Sequence, residues 1–224
     1  MLRSGARTHS SRCGFALSSL PGIRIEAQQP TLSWPKPIIA ATPPNGGRWL
    51  HEIHRSGMLV RASVSANQEV VLTTRDSTLP ALFEIEAALR SLAGGEALFE
   101  GYLVAHARHG AFEEALRDAR HLVFYAHDLL YFRGGYNLTG VALHWRKRAL
   151  RNLFLQCPRL SGQVTFGDHV RGDGSSFWRR ACEMGFDGIV SKSREGPYDP
   201  LRYHWIWSPP STVERQPDSL IRCA

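Results

Sequence analysis

The feature that most constrains this chain is its texture of short apolar or alternating runs separated by turns, with few helical stretches and no repeated strand–helix–strand unit. Trp49 to Ile53, Met58 to Val64, Val70 to Thr73, Ala97 to Ala105, Leu122 to Leu130, Gly188 to Lys192 and Tyr203 to Trp207 read as strands. Leu82, Ile85, Leu89 and Leu92 fall at helical spacing between Pro80 and Gly94, which predicts a helix over 81–92. A second helix is expected over 144–155, apolar at Leu150, Leu153 and Phe154, with its basic residues at the surface. Gly172–Gly174 leads into a third through Met184, with Ser175 or Ser176 as N-cap, and Phe112 to Leu116 suggests a short one. Strands that follow one another without helical crossovers pair antiparallel, so the fold class is α+β with mostly antiparallel sheet.

At 224 residues and 43% hydrophobic, the chain supports a substantial core, which excludes wholesale disorder. No apolar run reaches the roughly eighteen residues of a membrane-spanning helix, so no membrane association and a cytoplasmic location are expected. Cys13, Cys157, Cys182 and Cys223 form no C-x-x-C pair and no tight Cys/His cluster. That argues against a zinc site or a disulfide framework and for a reducing compartment. The net charge of +7 suits a phosphate-rich partner. Of the 27 basic residues only Lys36, Lys147 and Lys192 are lysines, so any chemistry needing an amine nucleophile has three candidates. Residues 1–34 are Arg/Ser-rich and read as a flexible leader; a transit peptide, a disordered tail and a misassigned start all fit. A domain over 35–209 and a disordered tail over 210–224 complete the organisation.

Several segments carry more than a fold. Glu52-Ile53-His54-Arg55-Ser56-Gly57 resembles the E-x-K-x-D-G motif of the ATP-dependent DNA ligases. Thr74-Arg75-Asp76-Ser77 stands where that family has T-R-N-G, and Phe99-Glu100-Gly101-Tyr102-Leu103-Val104 where it has L-D-G-E-L-V. His127-Asp128-Leu129-Leu130 is similar to F-D-L-L, and Asp187-Gly188-Ile189-Val190-Ser191-Lys192 to the E-G-hydrophobic-hydrophobic-x-K motif, before Trp205 at the start of W-x-K-x-K. Six short motifs in the family's order over about 175 residues are specific where one alone is weak. The ligase modules of bacterial end-joining enzymes are nearest in pattern.

The resemblance implies an adenylating nucleotidyltransferase (ATP-grasp-like) fold, ATP with Mg2+ or Mn2+ as cofactors, and nicked duplex DNA as partner. In the family a lysine amine attacks the α-phosphate of ATP, and the resulting lysyl-AMP activates a 5′-phosphate for sealing. His54 stands at the position of that lysine, and its shorter, stiffer side chain does not reach the same phosphorus without a shift of nucleotide or backbone. Carried over position by position, Glu52, Arg75, His127, Lys192 and Trp207 are expected at the nucleotide, and Glu100 and Asp187 at the metal. Ser56 replaces an acid, Leu59 an arginine, Tyr102 a metal-binding glutamate, and Trp207 and Pro209 two lysines. His127 replaces the aromatic that stacks on adenine. Only fifteen residues follow Pro209, so no OB domain is expected, and sealing would require a separate OB-domain or end-joining partner. The departures cluster at the chemistry, which favours a catalytically degenerate ligase-type domain; the alternative is a non-catalytic nucleotide- or DNA-binding remnant.

Overall fold

Alternating apolar and polar residues build two sheets in the computed structural model, which describes residues 17–105, 116, 119–199 and 205–210. The first sheet runs β1 (Arg24–Ile25), β8 (Tyr136–Asn137), β7 (Leu122–Phe132), β6 (Ala97–Ala105), β4 (Met58–Val64) and β5 (Val70–Thr73), with β9 (Val164–Phe166) alongside β7. The second runs β10 (Val170–Gly172), β3 (Gly46–Ile53), β11 (Ile189–Ser193), β12 (Trp205–Ser208) and β2 (Ile38–Ile39). Pairing is antiparallel except for β7 with β9 and β12 with β2. The mostly antiparallel α+β expectation therefore holds.

The period-two pattern of β4 separates its two faces. Val60, Ala62 and Val64 are fully buried and belong to the main core with Ile85, Leu89 and Leu92 of α1 (Phe83–Ala93) and Leu150 and Leu153 of α2 (Leu143–Gln156). Each of these Val, Ile and Leu side chains contributes about 1.5–3 kcal/mol by leaving water. A smaller cluster joins the sheets to each other: Leu98, Leu130 and Tyr131 from the first, Val190 and Trp205 from the second, with Tyr198. Helix α1 ends at Gly94, whose left-handed φ of 56° lets its N–H return to the Arg90 carbonyl.

Three expectations need correction. Helix α3 (Gly174–Glu183) is capped by Asp173, not by Ser175 or Ser176, because the Asp173 carboxylate accepts the Ser176 N–H at 3.1 Å and sits at the positive end of the helix. The basic residues of α2 are not all at the surface: Arg146 and Lys147 are each 1% exposed. Arg146 makes two 2.9 Å bonds to the Asp128 carboxylate, and Lys147 meets Glu52, so each charge is paired where it is buried. Part of the expected leader, from residue 17 onward, packs on the first sheet. Leu20 is buried, β1 pairs with β8, the Gln29 amide donates to the Val64 and Ala97 carbonyls, and Arg61 donates to the carbonyls of Leu32 and Ser33. The packed region thus begins well before Pro35. The helix expected over 112–116 lies outside the described residues apart from Leu116, as does the tail beyond Pro210.

Candidate nucleotide site

Strand β3 carries the motif around His54 into the space between the sheets. Its register with β11 places Glu52 opposite Val190 and Leu50 opposite Lys192, which sets Glu52 and Lys192 diagonally on one face. The Lys192 ammonium donates to Glu52 Oε2 at 2.9 Å and lies 3.8 Å from the centroid of the Trp205 ring. From α2, Lys147 Nζ reaches Glu52 Oε1 at 2.6 Å and donates to the Gly167 carbonyl at 2.9 Å. Both lysines are 1% exposed and Glu52 is 6% exposed, so one carboxylate serves two ammoniums out of contact with bulk water. Burial pushes the Glu52 carboxyl up, but the Lys147 and Lys192 charges outweigh it and hold the group well below the ordinary carboxylate range.

Beside this cluster, a cavity of about 230 Å³ opens between the sheets. Glu52 and Arg55 line it from the second sheet, Tyr102, Tyr125 and His127 from the first, and Gly167 to His169 from the β9–β10 connection. The volume falls below the roughly 300–1,000 Å³ usual for ligand pockets. His127 is 2% exposed; its Nε2 meets Glu100 Oε1 at 3.3 Å, its ring lies 5.3 Å from that of Tyr102, and burial together with the Lys192 charge lowers its pKa.

His54 follows β3. Its N–H donates to the Gly188 carbonyl at 3.0 Å, which anchors it beside the turn into β11. The ring stacks on Trp207 with centroids 4.8 Å apart and planes 28° apart, and meets the Tyr102 ring edge-on at 6.0 Å. Its Nδ1 is buried with no hydrogen-bond partner. Burial pushes the imidazole down to about 4 against the opposing charge of Asp187, so the ring is neutral at pH 7.

The other expected site residues divide. Trp207 reaches His54 by stacking, and its indole N–H donates to the Asp187 carbonyl at 2.9 Å. Arg75 is exposed on the turn after β5 and bonds the Pro35 carbonyl at 3.4 Å, and it does not line the cavity. Glu100 is fully buried and committed: Oε2 accepts from Arg61 at 3.1 Å and Tyr198 at 2.5 Å, and Oε1 meets His127. Burial pushes its carboxyl up, but the His127 hydrogen bond and the charges of His127 and Arg61 outweigh this and hold it at about 2. Asp187 accepts from the Ser56 hydroxyl. Among the described residues no group of three His, Cys, Asp or Glu side chains converges as a metal site. Carboxylates spent on an arginine, a tyrosine and a serine do not fit a divalent cation.

Two residues of the site escape the motif comparison. Lys147 looks like part of a solvated helix face, and only the scarcity of lysine marks it out. Arg55 occupies a variable position of its motif, yet its guanidinium lies 3.7 Å from the centroid of the Tyr125 ring at the cavity wall.

Two antiparallel-dominated sheets with a cavity between them, and the E-x-H-x-S-G segment running off the end of β3 beside it, match the fold of a ligase-type nucleotidyltransferase domain. The family model described as "ATP dependent DNA ligase domain" matches residues 64–208, more than half of the chain, and this chain belongs to that family. The matched span begins after His54, so membership does not depend on the altered motif. In fold the chain is similar to the mycobacterial DNA ligase D complexed with ATP and MES and to the ligase domain of M. tuberculosis LigD. Each has 21% identity and a TM-score of 0.61 over 76% of this chain and 59% of that chain. It is also similar to the ATP-dependent DNA ligase from bacteriophage T7 in complex with ATP, with 12% identity and a TM-score of 0.55 over 73% of this chain and 62% of that chain. The chain thus spans about three fifths of the length of these three ligase structures. None of the curated proteins compared by sequence matches it. No helix among the described residues is long and apolar enough to cross a membrane.

Proposed function

We propose that this chain is a ligase-type adenylation domain that no longer forms a covalent adenylate and acts, where it acts, by binding nucleotide or DNA. The observation that carries this reading is the fate of its amines. Self-adenylation needs a neutral amine in line with the pyrophosphate leaving group. Lys36 is exposed on the segment before β2, while Lys147 and Lys192 are buried against Glu52. At the nucleophile's position, the His54 ring has one face packed against Trp207. Its neutrality suits attack, but its short reach and stacked orientation do not. The cations that would balance phosphoryl charge are spent internally or replaced by Trp207 and Pro209.

ATP is the nucleotide the family uses, and the cavity-lining rings of His127 and Tyr125 support a contact with its base. The metal-binding set does not fit, so no step is assigned to a divalent ion. Nick sealing in DNA repair or recombination would then depend on another chain supplying an amine. Exposed Arg148 and Arg151 on α2 and Arg179 and Arg180 on α3 favour residual DNA binding; if phosphates are the contacts, retention of a duplex weakens steeply with salt.

Intact-mass measurement after incubation with ATP and Mg2+ or Mn2+ tests the main reading. No mass increase of one AMP is expected, and His54→Lys alone does not create one, because Tyr102 and Trp207 remain. An adduct on the native chain that disappears in His54→Ala, or efficient adenylation of the single lysine variant, overturns it.

A further inference from the structure

Residues 24–39 form one continuous segment that starts in the first sheet and ends in the second. As β1, Arg24 and Ile25 pair with Asn137 and Tyr136; as β2, Ile38 and Ile39 pair with Ile206 and Trp207. Between them Leu32 packs against the cluster that joins the sheets, and none of these residues lines the cavity. One side chain grips the crossing. Arg61 donates from Nη1 to the Leu32 carbonyl at 2.6 Å and from Nη2 to the Ser33 carbonyl at 2.5 Å, and lies 4.2 Å from the centroid of the Trp34 ring. The same guanidinium donates to the Tyr198 hydroxyl at 2.8 Å and to Glu100 at 3.1 Å, and Tyr198 donates to Glu100 at 2.5 Å. Thr139 makes a second link: its hydroxyl accepts from Arg24 at 3.2 Å and its carbonyl from the Tyr198 N–H at 2.7 Å. Both ends of the crossing are therefore tied to Tyr198.

The segment itself is held lightly. From Pro21 to Trp34 no residue is buried, β1 consists of two residue pairs, and the remaining anchors are side-chain bonds such as those of Gln29 and Asn137. A stretch with little buried apolar surface and a short ladder opens at a lower free energy than the core strands. Its partners differ: Arg61 is 7% exposed and Glu100 fully buried, so loss of the Leu32 and Ser33 carbonyls leaves buried donors without acceptors. We propose that residues 24–34 are a latch across the two sheets that opens as one unit with Tyr198. Closed, it completes the shell of Arg61 and holds Tyr198 on Glu100. Open, it loosens that cluster, and with it the packing of His127, which meets the other Glu100 oxygen at 3.3 Å from the cavity wall. The state of the N-terminal segment is thereby conveyed to the space between the sheets, whether or not a nucleotide binds there.

Hydrogen exchange of the full chain followed by NMR tests the latch at two amides: that of Glu26, held by the Gly135 carbonyl, and that of Tyr198, held by the Thr139 carbonyl. After correction for intrinsic rates, the two are expected to agree within about threefold and to exchange at least about tenfold faster than the amides of β6 and β7. Oxidising a chain that carries Ile25→Cys and Tyr136→Cys ties β1 to β8, because facing residues of paired strands stand at a separation a disulfide spans. This lock is expected to slow both amides at least about tenfold. Dithiothreitol reverses the effect, and the Met184 amide at the end of α3 is unaffected. On the native chain alone, Glu26 exchange as slow as that of the core strands, or a larger than threefold difference between Glu26 and Tyr198, refutes the proposal. A closed disulfide that leaves either amide at its native rate refutes it as well.

Discussion

Replacing Glu52 by glutamine keeps the shape of the side chain and removes the one negative charge that, among the described residues, touches the buried ammoniums of Lys147 and Lys192. Breaking a buried ion pair by deleting one partner costs about 3–5 kcal/mol, because the surviving charge stays in a poor solvent, and here two ammoniums survive. Lys147→Met is a milder change. It leaves Glu52 and Lys192 as a matched pair and forfeits one contact and the bond to the Gly167 carbonyl, for about 1–3 kcal/mol. Urea unfolding followed by circular dichroism resolves the two. With a slope of about 2 kcal/mol per molar, Glu52→Gln lowers the midpoint by about 1.5–2.5 M and Lys147→Met by about 0.5–1.5 M. Since a domain has about 5–15 kcal/mol in total, the glutamine variant stands near the limit of folding. A Lys147→Met variant as destabilised as Glu52→Gln, or a Glu52→Gln variant within about 1 kcal/mol of the native chain, would refute the idea that one carboxylate neutralises two buried amines.

His54 supplies a pH dependence whose sign follows from its lowered pKa. The unfolded chain takes up a proton near 6.5 and the folded one only near 4, so the stabilisation is complete above pH 6.5 and is lost as pH falls to about 4. That loss is up to about 3 kcal/mol. His54→Phe flattens this part of the stability profile between pH 7 and 4.5; an unchanged profile rules out a buried neutral ring. Gly188→Ala places a methyl group on the Ser208 carbonyl at a φ of 85°, and is expected to destabilise by about 2–4 kcal/mol in thermal unfolding. A melting temperature within a degree of the native one contradicts that packing.

Much of the fold was legible because it rests on local periodicity. β4 and β5 run over the expected residues, and α1 and α2 start and stop within two residues of the expected bounds. Charge was less legible. Lys147 and Arg146 lie on a helix that reads as half solvated, and nothing local says that Glu52 and Asp128 arrive to accept them. Burial of a cation is decided by a partner distant in sequence. Segment 17–34 was read as loose for the same reason: its anchors are backbone carbonyls and isolated side chains such as Gln29, which leave no periodic trace. In the site, Glu52 lines the cavity, whereas His54 stands beside it, stacked on Trp207. Motif spacing did not foresee that Glu100 would be consumed by Arg61 and Tyr198, or that Arg75 would lie away from the cavity.

The fates of the lysines and of His54 are linked by one physical requirement. A group that stabilises developing phosphoryl charge must be incompletely satisfied before the ligand arrives, because only interactions stronger in the transition state than in the ground state accelerate a reaction. Lys147 and Lys192 face a permanent internal anion, and leaving it to meet phosphate would strand Glu52 unpaired in the interior. The same closure holds at Glu100, where Arg61 and Tyr198 occupy the oxygen a metal would need, and at His54, where Trp207 fills the space beside the ring. Each contact stabilises the folded domain by an amount that a ligand competing for the same groups must first overcome. Changing one position therefore leaves the others opposing, and gains from reversions at His54, Tyr102 and Trp207 should be strongly non-additive, each nearly silent until its neighbours are also changed.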